Sequence, residues 1–293
     1  MKTSLDCISC FTRQAVEAAK LVSDDPIIHE QIVRELFRWV AEMDFAQSPP
    51  LLVQRIHRRL REITGVEDPY RAIKERHNCL ASSLYPELKA GIEEASDPLA
   101  MALRLAVSGN IIDLGAKSGL SDADMVSILQ RSVAEGIAGD FACFKKAVTG
   151  AHHVLYLADN AGEIVFDRLL IEQLSPDRIT IAVRGAPVIN DATMVDAESI
   201  GLCEIVEVID NGSDAPGTVI EDCSEAFRRR FEQADLIIAK GQGNYETLSG
   251  EAHSIFFLFK VKCSVIAAQV GVPVGTNVVA PSETVFSKIR RAI

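Results

Sequence analysis

The second half of the sequence repeatedly places polar residues directly after short apolar runs. The run Val154–Leu157 stops at Asp159 and Asn160, and a second run about thirty residues later stops at Asn190 and Asp191. Helix-like segments separate these runs, and strands that alternate with helices form a parallel sheet. The C-terminal ends of parallel strands face a common ligand crevice. The pattern therefore predicts a group of oxygen donors at one edge of a doubly wound sheet.

These donors suit a divalent cation. Carboxylate and amide oxygens are hard ligands of the kind that Mg²⁺ and Mn²⁺ prefer, and we predict Asp159, Asn160 and Asp191 as metal ligands. The alternative is that Asp159 and Asp191 only cap the helices that follow them. Glu163 lies one helical turn beyond Asp159 and could orient a water molecule at the ion. Its alternative role is a favourable charge in the first turn of a helix.

A third apolar run ends at Lys240 in the glycine-rich segment "KGQGNYE". Gly241 and Gly243 allow backbone N–H groups to approach an oxyanion, and Lys240 supplies positive charge. The segment is not a dinucleotide-binding fingerprint, because Glu246 stands where the third glycine would be. The pattern predicts a phosphate cradle, with a tight turn and a solvated lysine as the alternative.

Four further polar residues interrupt apolar segments. Lys260 and Lys262 lie within "FLFKVKCSVIAA" and would share one face of a strand. Lysines in such surroundings either extend to water or face a cleft, and we expect at least one to face the cleft. Asn110 and Asp113 follow an apolar helix, where they either cap its end or reach the cleft.

The first half of the chain has a different pattern. Apolar residues recur at helical spacing, and Asp25 with Pro26 is typical of a helix N-terminus. We predict a mainly helical domain over residues 1–148 that packs on an α/β domain over residues 149–293, whose mostly parallel sheet has flanking helices. The loop 210–218 is expected to be a flexible linker. The predicted strands are 153–158, 178–183, 204–209, 235–239 and 273–279.

Composition narrows the classes of protein. A net charge of −11 argues against a nucleic-acid binder. No uncharged apolar run reaches the roughly 18 residues of a membrane helix, and the N-terminal residues lack the apolar core of a signal peptide. Seven scattered cysteines do not suggest a disulfide framework. We therefore expect a cytoplasmic protein without a membrane or nucleic-acid partner, and its oligomeric state stays open.

Cys7 and Cys10 form a single CxxC pair. Structural zinc usually needs four ligands, which Cys79 or His77 could help to supply. Thiolates select softer ions than phosphate chemistry uses. We predict that the pair supports structure, either as packed thiols or with Cys79 around an ion.

The segments "DNAGE", "PVIND" and "KGQGNYE", in this order after a helical region, resemble the damage-control phosphatases. The resemblance extends over essentially the whole chain, and the CxxC pair resembles the stand-alone prokaryotic branch, which is associated with nucleotide phosphatase activity. It implies metal ligation by Asp159, Asn160 and Asp191 and a cleft lysine at Lys260. The implied substrate-contacting segment is Lys240, Gly241, Gln242, Gly243 and Asn244.

One departure from the family pattern limits the substrate. The eukaryotic sugar-phosphate branch has an Arg-Thr-x-Lys motif that ends in the cleft lysine, and at this place the chain has Phe257-Leu258-Phe259-Lys260. Because the arginine is missing, fructose-phosphate specificity does not transfer.

The expected activity is metal-dependent hydrolysis of phosphomonoesters of small metabolites, including damaged nucleotides or related phosphorylated cofactors. Mg²⁺, Mn²⁺, Co²⁺ or Ni²⁺ would act as the Lewis acid, and the nucleophile is either water or the Asp159 carboxylate. The alternatives are a non-catalytic phosphometabolite-binding protein and an S-adenosylmethionine-dependent methyltransferase. The predicted catalytic residues are Asp159, Glu163, Lys240 and Lys260. The predicted substrate-binding residues are Asn110, Asp113, Asn190, Lys240, Gly241, Gln242, Gly243, Asn244 and Lys260.

Overall fold

The computed structural model describes residues 1–109 and 136–282. These residues form eleven α-helices and seven β-strands. The helices are α1 (Cys7–Val22), α2 (Pro26–Glu42), α3 (Pro49–Thr64), α4 (Arg71–Glu93), α5 (Pro98–Ser108), α6 (Phe141–Gly150), α7 (Glu163–Glu172), α8 (Met194–Ser199), α9 (Glu225–Gln233), α10 (Gly241–Leu248) and α11 (Ser264–Val270). The strands are β1 (Ile137–Gly139), β2 (Val154–Leu157), β3 (Ile179–Val183), β4 (Glu207–Asp210), β5 (Leu236–Lys240), β6 (Ile255–Lys260) and β7 (Asn277–Pro281).

The strands form one sheet in the order β1-β7-β6-β5-β2-β3-β4. All neighbouring strands are parallel except β6 and β7. Strand β2 lies between β3 and β5, with Leu157 opposite Ala182 on one side and Ala239 on the other. The predicted α/β class with a mostly parallel sheet is therefore confirmed. This register brings the ends of β2, β3 and β5 to one edge of the sheet.

The described strands differ from the predicted ones in several places. Strand β4 starts at Glu207 instead of 204, because Leu202–Glu204 form a 3-10 turn. Strand β1 has only three residues and lies in a segment predicted to be helical, and it is too short to show a period in the sequence. The run that contains Lys260 is strand β6. The last strand starts at Asn277 instead of 273, because the chain turns at Pro273 and Gly275, which has a φ of +93°.

The hydrophobic core has three parts. One face of the sheet packs against α4, α5 and α7, and the other packs against α9, α10 and α11. Helices α1 to α3 form a third cluster. Helices α4 and α5 thus share a core with the sheet, and the domain boundary at residue 148 stays a prediction.

Local signals act as expected in the helical region. The Asp25 side chain accepts a hydrogen bond of 2.9 Å from the Ile27 N–H, and Pro26 opens α2.

No helix within residues 1–109 and 136–282 combines the length and apolar composition that crossing a bilayer requires.

The loop 210–218 is not a flexible linker, so that expectation is wrong. Asp214 in this loop is only 7% exposed. Its carboxylate accepts hydrogen bonds of 2.7 Å from Gln54 and 2.9 Å from Arg58, and it is also bonded by Arg61. These partners lie on α3, more than 150 residues earlier in the chain, so the loop's polar composition does not reveal them.

This ion-pair network makes a pH-dependent contribution to stability. Burial raises the pKa of Asp214, but hydrogen bonds from Arg58 and Gln54 lower it by more, so it lies below the ordinary value of 3.8. The stabilisation is therefore present above pH 3.8 and is lost as pH falls through the lower folded-state pKa. We expect Asp214→Asn to reduce the free energy of unfolding by about 2 kcal/mol at pH 7 and by clearly less at pH 3.

Urea unfolding at the two pH values measures this difference. Asp177→Asn changes an exposed carboxylate and is the matched control. An equal loss of stability at pH 7 and pH 3 would contradict an ionic contribution from Asp214.

Candidate active site

Backbone hydrogen bonds join the loops that follow β2 and β3. The N–H of Ala161 donates to the carbonyl of Asn190 at 2.9 Å, and the N–H of Ala192 donates to the carbonyl of Asp159 at 2.8 Å. Asn160 and Asp191 consequently form an antiparallel bridge outside the named strands. The two polar pairs predicted from the sequence therefore lie side by side.

The second loop has a strained backbone just before its polar pair. Ile189 has a φ of +45° and is the only described non-glycine residue with a positive φ. A β-branched residue pays a steric cost in this conformation. The Ile189 side chain packs against the core of α1 to α3, and the Asp191 N–H bonds the Val188 carbonyl. The helical region thus helps to set the position of Asn190 and Asp191.

A cluster of acidic and amide side chains is buried at this edge of the sheet. Asp159, Asn160, Glu163 and Asp191 are each 7% exposed or less. The Asn160 amide nitrogen donates to Asp159 Oδ2 at 2.7 Å and to Glu163 Oε2 at 2.9 Å. The reverse amide orientation would set its oxygen against two carboxylates. The Asn160 Oδ1 acceptor therefore points away from them.

The electrostatics of this cluster favour a cation. Burial raises the pKa of Asp159 well above its ordinary value, and the negative charges of Asp191 and Glu163 add to the effect. No three His, Cys, Asp or Glu side chains in residues 1–109 and 136–282 are arranged to hold a metal. A cation here would therefore need the Asn160 oxygen or a substrate oxygen besides the carboxylates.

Arg184 is a site residue that the sequence reasoning missed. It is 2% exposed, its Nε donates to Asp191 Oδ2 at 2.7 Å, and its Nη2 lies 3.9 Å from Asp159 Oδ1. Its Nη1 donates to Thr218 Oγ1 and its Nη2 to Asn244 Oδ1, both at 3.5 Å. Arg184 thus orients Asp191 and offsets part of the negative charge. The only sequence signal was a charged residue directly after the apolar strand β3.

Lys240 lies deeper than a phosphate-binding lysine should. It is fully buried, and its ammonium donates to Glu163 at 2.7 Å, to Asp167 at 2.5 Å and to the Ala106 carbonyl at 2.8 Å. Burial lowers its pKa, but the charges of Asp167 and Glu163 raise it by more, so Lys240 stays protonated. Asp167 also accepts a hydrogen bond of 2.7 Å from the Tyr156 hydroxyl. The sequence pattern did not predict Asp167 as a site residue, although it follows Glu163 by one helical turn.

The two glycines serve close packing. Gly241 has a φ of +79°, and a Cβ atom there would lie 1.9 Å from Asp159 Oδ2. A Cβ atom on Gly243 would lie 2.3 Å from the Pro216 carbonyl oxygen. Gly241 therefore allows the start of α10 to approach the Asp159 carboxylate, whereas Gly243 allows the loop 210–218 to pack on α10.

The other residues of this segment are tied to the protein. The Asn244 amide donates to the Lys240 carbonyl at 2.7 Å, and its oxygen accepts from Thr218 at 2.8 Å. The Gln242 side chain donates to Glu246 at 2.8 Å and accepts from the Lys262 N–H at 3.0 Å. Both predicted substrate-binding side chains thus hold α10 against its neighbours.

The two lysines after β5 occupy different environments. Lys260 is half-buried at the end of β6, opposite Asn277 in the sheet register. Lys262 is exposed, and its charge lowers the pKa of Asp159. The structure therefore brings the charge of Lys262 to the acidic cluster, while the cleft role of Lys260 stays a prediction. Asn110 and Asp113 lie outside the described residues.

Comparison with known proteins identifies the family. The protein-family model of the damage-control phosphatase ARMT1-like domain matches residues 3–278 of this chain. The chain belongs to this family. It is 38% identical to a damage-control phosphatase of Archaeoglobus fulgidus over 286 residues, which cover 95% of this chain and 98% of that protein. It is 31% identical to a damage-control phosphatase of Pyrococcus horikoshii, with 95% and 97% covered.

The fold comparison agrees with the family. A crystal structure of a DUF89 family protein from Pyrococcus horikoshii superposes with a TM-score of 0.88 at 30% identity, covering 96% of this chain and 99% of that one. The predicted membership in the damage-control phosphatases is thus confirmed. Membership supports phosphatase activity, and the carboxyl ends of β2, β3 and β5 are the part of the described fold suited to it.

Asn190 adds a hydrogen-bond donor to this phosphatase-family site. Its side chain is 4% exposed, and its Nδ2 has no hydrogen-bond partner among the described residues. Leaving a buried donor unsatisfied costs about 1–3 kcal/mol. Such a donor beside an acidic, cation-favouring cluster fits an oxyanion such as a phosphate.

The CxxC pair lies in the first turns of α1. Cys7 is half-buried against the α1 to α3 core, and burial raises its pKa, with smaller effects from the charges of Glu246, Cys263 and Cys10. The third thiol near Cys7 is thus Cys263, whereas Cys79 is exposed on α4. The described conformation provides no ion site of Cys7, Cys10 and Cys79, which leaves the packed-thiol alternative.

We expect the double variant Cys7→Ser with Cys10→Ser to lower the melting temperature by several degrees, because Cys7 packs in a core. The specific activity of the folded protein should change less than twofold. Replacing the exposed Cys203 by serine is the control for both measurements. An unchanged melting temperature with lost activity would place the pair in the active site.

Proposed function

We propose that this protein is a divalent-metal-dependent phosphomonoesterase that acts on small phosphorylated metabolites. The observation that carries the proposal is the convergence of Asp159, Asn160 and Asp191 in the joined loops that follow two neighbouring strands, with the amide of Asn160 oriented by two carboxylates. Two carboxylate oxygens and an amide oxygen are a suitable ligand set for Mg²⁺, Mn²⁺, Co²⁺ or Ni²⁺.

The charge balance supports a cation at this place. Among the described residues, the buried side chains that contact one another at this site include more carboxylates than cations. The carboxylates are Asp159, Glu163, Asp167 and Asp191, and the cations are Arg184 and Lys240. Burying excess charge of one sign is costly unless an ion compensates it. A divalent cation would lower this cost and restore the pKa of Asp159 toward its ordinary value.

Each protein group then has a definite task in phosphoryl transfer. A bound ion supplies Lewis-acid polarisation of a phosphoryl oxygen. Arg184 holds Asp191 in place, and the amide donor of Asn190, which has no partner among the described residues, would bind an equatorial phosphate oxygen. Lys262, on the exposed side of the cluster, would neutralise charge on the incoming phosphomonoester.

The names of the relatives, damage-control phosphatases, support damaged metabolites as the substrate class. Because the CxxC pair resembles the branch associated with nucleotide phosphatase activity, we propose damaged nucleotides or related phosphorylated cofactors as substrates. Phe257 stands in the place of the arginine of the sugar-phosphate branch, within the buried strand β6. Fructose phosphates are therefore expected to be poor substrates. Family membership also argues against the methyltransferase alternative.

Phosphate release from a substrate panel tests the proposal. The full chain is stripped with a chelator and assayed on nucleotides, sugar phosphates and phosphopantetheine with each of the four ions. We expect release only with added ion, and faster release from nucleotides or cofactors than from fructose phosphates. Substrate binding without release under all conditions would support the non-catalytic alternative, and release unaffected by chelation would refute metal dependence.

A further inference from the structure

We propose that Lys240 and Asp167 are positioning residues that orient the Asn160 amide through Glu163, and that neither contacts the phosphate. The inference rests on the proposed function, since it assigns Asn160 as a metal ligand. It replaces the role of Lys240 expected from the sequence, which was direct contact with the transferring group.

The hydrogen bonds of Lys240 leave it no donor for a ligand. An ammonium group has three N–H donors. In Lys240 they are directed at Glu163 Oε1, Asp167 Oδ1 and the Ala106 carbonyl, at 2.7, 2.5 and 2.8 Å. The side chain is fully buried. A substrate oxygen could reach this ammonium only by displacing one of these partners.

Asp167 fixes the position of this ammonium from the side of α7. It is 0% exposed, and its Oδ1 accepts from both Lys240 and the Tyr156 hydroxyl, the latter at 2.7 Å. Tyr156 lies in strand β2, whose four residues are all buried, so the chain of bonds starts from a buried strand of the sheet. Asp167 therefore connects a rigid strand to Lys240.

Glu163 transmits this position to the proposed metal ligand. One of its oxygens accepts from Lys240, and the other accepts from the Asn160 amide nitrogen at 2.9 Å. The same nitrogen also donates to Asp159 at 2.7 Å. Both amide hydrogens are thus used, which determines where the Asn160 oxygen points. Mutation of a residue that holds a metal ligand in this way typically lowers metal affinity or activity 10- to 100-fold.

The inference predicts a loss of metal affinity instead of a loss of phosphate binding. In Asp167→Asn, we expect the Kd for Mn²⁺, titrated calorimetrically into the chelator-stripped full chain, to rise about 10-fold or more. The kcat at saturating Mn²⁺ should stay within about threefold of the wild type. Asp167→Asn keeps Lys240 and Glu163 as a balanced pair, so we expect it to fold.

Two further variants separate geometry from charge and from misfolding. Tyr156→Phe removes one bond to Asp167 without any change in charge, and its Mn²⁺ Kd should rise in the same direction by a smaller factor. Lys240→Met should act like Asp167→Asn, but it leaves two buried carboxylates without their cation. If it does not fold, the other two variants decide. Tyr85→Phe, whose hydroxyl bonds Glu172 at the other end of α7, is the matched control.

A metal-free crystal structure gives a readout that is independent of activity. In Asp167→Asn, we expect the 2.9 Å contact between Glu163 Oε2 and Asn160 Nδ2 to lengthen while the fold stays unchanged. An unchanged Mn²⁺ Kd in both Asp167→Asn and Tyr156→Phe would overturn the inference, whether kcat/KM falls or not. A wild type that binds Mn²⁺ but releases no phosphate would overturn the proposed function alone.

Discussion

Asp159→Ala and Asp191→Ala are each expected to lower metal-dependent kcat/KM by about 10³-fold or more while the protein remains folded. Each variant removes one of two carboxylates from a three-residue ligand set, which weakens both the ion and the Lewis-acid stabilisation that it supplies. Because burial and neighbouring charges raise the pKa of Asp159, its removal should not lower the melting temperature of the metal-free protein.

The measurements are phosphate release at saturating Mn²⁺ and thermal unfolding without metal. Replacing the exposed Asp177 by alanine is the control for a general effect of lost negative charge. Near-normal turnover in either folded variant would remove that residue from the ligand set.

Gly241→Ala is expected to have the second-largest effect, with kcat/KM lowered about 10²-fold or more. The new Cβ atom would lie 1.9 Å from Asp159 Oδ2, and Gly241 has a φ of +79°. The left-handed backbone conformation at this position alone costs an L-residue roughly 1–2 kcal/mol. Relief of the steric clash requires Asp159 or the start of α10 to move, so both metal affinity and stability should fall.

Gly250→Ala is a matched control, because it lies just beyond the same helix and no atom lies within 4 Å of its added Cβ. Its activity and melting temperature should stay close to those of the wild type. Equal activities of Gly241→Ala and Gly250→Ala would show that the approach of α10 to Asp159 is not needed for function.

The sequence predicts the strand ends of this site well because the signal is local. An apolar run that stops at Asp-Asn marks the end of a buried strand, and parallel pairing places the ends of β2, β3 and β5 at one edge. The position of Asp159 and Asn160 therefore follows from the pattern. Strand β3 already ends at Val183, so Asn190 and Asp191 lie farther along the loop that follows it, and backbone hydrogen bonds between the two loops place them beside Asp159 and Asn160. That these residues hold a metal remains a prediction.

The surroundings of these residues depend on contacts distant in sequence. Arg184 reaches Asn244 across 60 positions, and Lys240 bonds the Ala106 carbonyl across 134. Nothing near "KGQGNYE" indicates that its lysine points into the core instead of toward a phosphate. In the same way, Asp214 meets Arg58 across 156 positions, so a segment with the composition of a linker is buried.

The most direct test of the central claim is an anomalous difference map from crystals of the full chain grown with Mn²⁺. The account predicts one strong peak at about 2.0–2.4 Å from oxygens of Asp159, Asn160 and Asp191, which disappears in crystals of Asp159→Ala. A protein that shows Mn²⁺-dependent phosphate release with its strong peak elsewhere, or with none at these three residues, would contradict the account.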